Sequence, residues 1–458
     1  MLNGRWETLK TLTAPQCSQD SAATTRGISI SRLPSPVQRF PKNQQAHTMT
    51  TKDQQPKLAT LVQAGGEQTE TEKINDFIYM AKDISNAYLV KTKDGDVLIN
   101  AGFMGSAERI KQLFAPLRSG PLQAIFLTQA HADHFGGVPA LKEANTKIIA
   151  HSKFSDTANF FKTLMPHLGR RSGKLWSGTI KGRGAPVPDI EPDTTFEDRV
   201  SLTIGDVCFE AISTPGGEAP DASVIWLGNE KIVFSGNVFG PVFMSVPNLN
   251  TIRGDKPRSV NRFLESVDTV RKLGAELLIT GHGEPIRGKE RIAADLNKLY
   301  DGVTYIRDAT IAGMNSGKSV HELMAEIRLP EALQLGEFHG KVSWAVKSIW
   351  QEFSGWFFYD STTSLYEVPA SAVHQDLCEL AGGAQQLAAR AAAKIDAHKP
   401  LEALHLLDIA LNAEPQQVDA LTTKKRALEM LLQHSGGTNL SEVMWLKSEI
   451  ADVAKLLS

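Results

Sequence analysis

Between residues 58 and 282 the hydrophobic positions fall in short runs, set apart by turn-forming residues and by segments with helical spacing. Residues 77–80, 87–92 and 97–100 read as strands, the last two joined by the turn Lys93-Asp94-Gly95-Asp96. A helix is predicted over 106–117, with Ile110, Leu113 and Leu117 on one face. Residues 122–128 form an apolar run short enough for a buried strand, and it ends directly at His131-Ala132-Asp133-His134. Another strand follows at 147–150, then two hairpins, 200–204 with 207–212 and 223–227 with 231–234, turning at Gly205-Asp206 and Gly228-Asn229. Val260, Phe263, Leu264, Val267 and Val270 have helical spacing that Gly274 stops, and a last strand at 277–280 runs into Gly281-His282-Gly283. Each chemically loaded residue therefore sits just past a strand end, where loops on a rigid sheet carry function.

From about residue 287 the pattern is helical only. Helices are predicted over 290–315, 320–327, 342–353, 377–395 and from 401 onward. Leu401, Leu404, Leu407 and Leu411 form a stripe that Pro415 breaks, and a second helix runs over 418–433. The pair has the outline of a tetratricopeptide-type hairpin, but one hairpin makes no solenoid and is read as packing. The chain thus divides into a segment 1–57, an α/β metal-binding region 58–286, a helical region 287–398 and a C-terminal hairpin region 399–458. Residues 1–57 are rich in Ser, Thr, Gln and Pro without periodicity and read as disordered. Residues 1–48 are expected to lie outside the folded protein, and nothing in them has the apolar stretch of a secretory signal.

Composition narrows the function classes. Lysine plus arginine (49) nearly balance aspartate plus glutamate (51) in 458 residues, which gives no reason to expect nucleic acid or an anionic membrane as partner. No run approaches the ~18 apolar residues of a membrane span. Cys17, Cys208 and Cys378 lie far apart, support neither a disulfide framework nor a thiolate zinc site, and fit a reducing, cytoplasmic setting.

His131, Asp133 and His134, placed after an apolar strand and before Gly136-Gly137, are a compact donor set. Neutral imidazole nitrogen and anionic carboxylate oxygen suit zinc or iron, and the glycines allow a tight turn. The segment L-T-Q-A-H-A-D-H-F-G-G (127–137) resembles the metallo-β-lactamase superfamily signature H-x-H-x-D-H followed by Gly-Gly. The likeness extends through D-G-D-V-L-I-N-A-G (94–102), S-T-P-G-G-E-A-P (213–220) and T-G-H-G-E-P (280–285). More narrowly, T-P-G-G-E-A-P resembles the alkylsulfatase branch, in which a glutamate replaces the usual third histidine ligand. N-L-N-T-I-R-G (248–254) is similar to a segment of that branch carrying a sulfate-binding arginine. I-R-L-P-E (327–331), H-G-K-V-S-W, G-W-F and E-L-A-G-G (379–383) resemble its helical dimerisation domain, so the likeness covers roughly residues 75–435.

The resemblance implies an αββα sandwich followed by an all-α domain, and a homodimer. It implies one metal on Asp133, His134 and His282, and a second on Gln129, His131 and Glu218. Three departures bear on the second ion: Gln129 stands where the family has His, the bridging acid near Ser235-Gly236-Asn237 is missing, and Asn100 replaces an aspartate behind the site. One secure ion, zinc with iron as the alternative, is therefore expected to activate a water for attack on an ester. Asp133 and His131 would take part in catalysis. Arg253 and Asn248 would hold a small anionic substrate, a sulfate ester by resemblance. The family has a further sterol-carrier-like domain and this sequence ends at Ser458, so nothing is expected of acyl-chain specificity. A mononuclear iron oxygenase of the same fold and a catalytically degenerate helical interaction protein stand beside this reading. His151 is expected to be structural, and so are His321, His374, His398, His405 and His434; His339 is the one helical-region histidine to watch.

Overall fold

The computed structural model describes residues 56–176, 179 and 187–458. The segment 1–48 and most of the predicted tail lie outside these residues. The first described helix, Lys57–Gln63, begins where the tail was expected to stop.

Two sheets form the α/β part. The first runs in the order β1 (Glu72–Lys73), β2 (Ile78–Ala81), β3 (Ala87–Thr92), β4 (Gly95–Ile99), β5 (Leu122–Phe126), β6 (Lys147–His151), β7 (Thr194–Phe196). Its hairpin half is antiparallel, and β4 to β7 are parallel. The second contains β8 (Arg199–Ile204), β9 (Val207–Ser213), β10 (Ser223–Leu227), β11 (Ile232–Gly236), β12 (Leu277–Thr280) and β13 (Ile286–Arg287), in reverse spatial order, with only β11 and β12 parallel.

Side-chain alternation along the strands explains the layering. Tyr88, Val90, Val97, Ile99, Phe126, Phe209, Ile225, Phe234 and Ile279 meet between the sheets. Their strand neighbours Leu89, Leu98, Ile125 and Ile148 turn outward, onto Ile110, Leu113 and Phe114 of the helix Ala107–Phe114. On the other side Val224, Trp226, Val233 and Leu278 pack under Phe263, Leu264 and Val267 of the helix Val260–Leu273. The result is an αββα sandwich. Being covered on both faces, its central strands read as continuous apolar runs.

The helix Val260–Leu273 has the boundaries its sequence implies: the Ser259 side chain accepts from the Arg262 backbone, and Gly274 closes it at φ +66°. Beyond it the chain is helical. Ile292, Leu296, Leu299 and Val303 of Lys289–Asn315 and Val346 and Ile349 of Val342–Ser354 share one core with the second sheet. The change of character at 287 is thus a change in sequence pattern that the packing does not follow. The single helix expected over 377–395 is two, His374–Leu380 and Ala384–Asp396. Gly382 (φ +86°) and Gly383 (φ +101°) interrupt it in a backbone region that favours glycine. The hairpin Pro400–Ala413 and Val418–His434 forms, and the last helix, Leu440–Leu457, folds back against the helix Phe154–Trp176.

Phe154–Trp176, 23 residues long, has no clear sequence signature. Pro166, Gly169 and Gly173 punctuate it, and only Phe154, Thr157, Leu168 and Leu175 are buried. Such a segment is helical by tertiary contact more than by local preference. It matters because it forms one wall of the site described next.

Candidate metal centre

The site lies at the strand ends. The chain leaves β5 at Phe126, and His131, in extended backbone, caps the one-turn helix Ala132–Phe135. That turn is pinned to the segment after β4: the Ala101 backbone N–H donates to the His134 carbonyl at 2.7 Å, and Gly137 donates to Gly102 at 3.1 Å. A side chain on Gly137 would meet the Ala101 carbonyl oxygen at 2.1 Å. The glycine pair thus permits the tight turn and a close backbone approach, here to Ala101, Phe103 and Met104; Gly136 and Gly137 both have ordinary helical φ.

Asp133, His134 and His282 come together, with their ligating atoms all within 4.8 Å of one another. Asp133 Oδ2 is 3.7 Å from His134 Nε2 and 4.0 Å from His282 Nε2, and the two imidazole planes cross at 82°. His134 is fully buried, and its Nε2 has no hydrogen-bond partner among the described residues. Its Nδ1 is surrounded by Ser85 Oγ at 3.2 Å, Thr128 Oγ1 at 3.2 Å and Asn100 Nδ2 at 3.0 Å. Ser85 gives its own proton to the Gly281 carbonyl and so can accept from Nδ1–H, the tautomer that offers the Nε2 lone pair to a cation, whereas the Asn100 amide nitrogen can only donate and opposes it. Burial pulls His134 down to about pKa 4, against the attraction of Asp133, so the ring is neutral at physiological pH. Burial lowers His282 as well. Neutral imidazoles, an ionised carboxylate and an orphaned buried nitrogen fit a divalent ion.

Asn100, at φ +59°, spends its oxygen on the Thr128 N–H and hydroxyl and turns its amide nitrogen toward His134. An aspartate there keeps the Thr128 bonds and accepts the Nδ1 proton with its other oxygen. Asn100→Asp is therefore expected to tighten zinc binding about 10-fold or more, measured by competition with a chromophoric chelator.

The remaining predicted ligands form a separate group. Gln129 Nε2 is 2.6 Å from His131 Nδ1. Glu218 Oε2 is 3.6 Å from that same nitrogen, and His131 Nε2 faces Asp255 Oδ2 at 3.7 Å. Glu218 also takes the Asn237 amide at 2.8 Å and His339 Nε2 at 3.1 Å, with Arg258 Nη1 at 3.6 Å. Asn237 touches His282 Nε2 at 3.1 Å, so an uncharged amide links the two groups. Burial alone would lower His131, but Asp255 and Glu218 outweigh it and lift the pKa to about 9. Burial would raise Glu218, yet His131, His339 and Arg258 hold it well below the usual carboxylate range. Glu218 is thus held by Asn237, His339 and Arg258, while Gln129 Oε1 and His131 Nε2 are buried without a hydrogen-bond partner among the described residues.

A pocket of about 560 Å³ opens over both groups. Asp133, His282, His131, Glu218, Asn248 and Arg253 line one end. Phe161, Met165, Leu168 and Trp176 of the 154–176 helix, with Leu58 and Val62 of the first helix, line the other. His339 faces this space, and its loop is held by Asn439 Nδ2, which donates to the carbonyls of Glu337 (3.2 Å) and His339 (3.1 Å). His151 lies apart, paired with Ser213 Oγ. Asp255, Arg258 and Asn237 carry no motif of their own. The only local cue is R-G-D-K-P-R (253–258), an acid between two arginines at the end of N-L-N-T-I-R-G.

Residues 81–282 match the metallo-beta-lactamase superfamily, and residues 319–445 match the alkyl sulfatase dimerisation family. The chain is 28% identical over 324 residues to a linear primary-alkylsulfatase of Pseudomonas sp., covering 64% of this chain and 60% of that protein. It is 28% identical over 353 residues to the alkyl/aryl-sulfatase BDS1 of Saccharomyces cerevisiae, covering 70% and 54%. The chain thus spans less than two thirds of the curated relatives it matches. The solved structure of a stereoselective inverting sec-alkylsulfatase from Pseudomonas sp. superposes with a TM-score of 0.74 at 23% identity, over 85% of this chain and 65% of that one. That likeness is one of fold.

Proposed function

We propose that this chain, a member of the metallo-beta-lactamase superfamily that carries an alkyl sulfatase dimerisation domain, hydrolyses a sulfate ester with one zinc ion held by Asp133, His134 and His282. The observation that carries this reading is the buried His134 Nε2, without a hydrogen-bond partner among the described residues, facing a half-buried carboxylate and a second imidazole. Zinc in a site of this kind lowers the pKa of its bound water to about 7 and so supplies hydroxide at neutral pH.

The chain's own residues do the rest. Arg253 and Asn248 bind the anionic head, the guanidinium fork matching two sulfate oxygens. The wall from Phe161 to Trp176 takes the apolar part of the ester and keeps water away from the head. Asp133 orients the two histidines, and His131, tied to Gln129 and Glu218, fixes the floor between the groups. The names of the relatives supply the sulfate ester; the pocket's apolar wall and the Arg253 guanidinium at its other end agree with it.

We further propose a homodimer, built on the dimerisation domain. Its segment 353–380 exposes Phe353, Trp356, Tyr359, Leu365, Tyr366 and Leu380, an apolar surface suited to a second copy. No helix among the described residues is long and apolar enough to cross a membrane. The free thiols Cys208 and Cys378 suit a cytoplasmic setting.

Zinc-loaded protein is expected to release inorganic sulfate from decyl sulfate, and a chelator is expected to stop the release. No release from zinc-loaded protein, together with oxygen consumption by the iron-loaded form, contradicts the hydrolase reading and supports the oxygenase.

A further inference from the structure

Behind the head end of the pocket lies a carboxylate that the proposed hydrolysis does not use. The Asp255 side chain is only 6% exposed. Its Oδ2 is 3.1 Å from Arg258 Nη2, 3.5 Å from Arg253 Nη2 and 3.7 Å from His131 Nε2, and its Oδ1 accepts the Lys256 N–H at 2.7 Å. Arg258, equally buried, donates to the Asn248 carbonyl at 2.7 Å and faces Glu218. The two arginines at the head end are thus matched by two carboxylates.

We infer that Asp255 is a specificity-determining residue that weakens the head pocket's hold on dianions relative to monoanions. Its carboxylate lies against Arg253, Arg258 and His131, so it lowers the positive potential that an anionic head meets there. A phosphate-type dianion meets the Asp255 field with twice the repulsion, because Coulomb energy scales with the charge of the ligand. Asp255 does not touch the ligand in this scheme; it acts through the field and by holding the Arg253 guanidinium at the pocket wall. The inference rests on the anionic head being bound at Arg253 and Asn248.

The test is calorimetric binding of two non-hydrolysable probes of equal chain length to the zinc-loaded full chain near neutral pH: decyl sulfonate, a monoanion, and α,α-difluorodecyl phosphonate, whose fluorines keep it dianionic. Asp255→Asn is expected to tighten sulfonate about 10-fold and phosphonate about 100-fold, shifting the ratio of the two affinities about 10-fold toward the phosphonate. Asp255→Glu, which keeps the charge, is expected to keep the wild-type ratio. Where the Asn variant fails to fold, Asp255→Ser, whose hydroxyl can take the Lys256 bond, carries the same expectation. An unchanged ratio, or a loss of affinity for both probes, overturns the role of Asp255 while leaving the anionic-head reading intact. If neither probe binds the wild type, that reading fails and this inference fails with it.

Discussion

His134→Ala is expected to abolish zinc uptake at micromolar metal and to remove detectable ester hydrolysis. His134 is the most completely enclosed of the three ligands, with Nδ1 set by Ser85, Thr128 and Asn100 and Nε2 left for the ion. Without it Asp133 and His282 are two donors 4.0 Å apart, too few to hold a catalytic ion against water. The substitution also strips a partner from buried polar groups, at a cost of roughly 1–3 kcal/mol. The variant should therefore melt lower yet keep its circular dichroism. Elemental analysis alongside the melt separates metal loss from unfolding. Hydrolysis that survives in a folded, metal-free variant would sink the mechanism.

The second large effect is a gain. Gln129→His combined with Asn237→Asp is expected to raise bound zinc from about one to about two ions per chain. An amide is a weak neutral donor, and here its nitrogen is spent on His131 Nδ1. Asn237, hydrogen-bonded to Glu218 and against His282, occupies the junction where a carboxylate would bridge two ions. The double substitution replaces both uncharged groups by ligands and frees Glu218 from the amide. Either change alone should do less, because each leaves one uncharged group in the ligand set. A double variant that still binds one ion would place the obstacle elsewhere, in the Arg258 and His339 contacts to Glu218.

Much of this arrangement was legible in sequence because it is local. The apolar strands have the register that alternation requires, and Gly274 stops its helix as its spacing implied. Asp133 and His134 are adjacent, and His282 was placed by its strand end. What was not legible depends on long-range contact. The helix Phe154–Trp176 holds its shape against Leu440–Leu457 and the pocket, with Pro166 and two glycines masking it locally. The glycine pair after the histidines was marked for a tight turn and close backbone approach, but that the backbone it approaches is Ala101 across the turn depends on the fold. Asn237 was visible only as a missing acid; its bonds to Glu218 and His282 span 19 and 45 residues of chain. Asp255 gave no signal of function, because an acid between two arginines reads as an exposed charge pair until the fold buries it.

The central proposal is a single metal ion on Asp133, His134 and His282, and zinc stoichiometry tests it most directly. Protein equilibrated with excess zinc and then desalted is expected to retain about one ion per chain by elemental analysis. Retention of two, or of none, would contradict it.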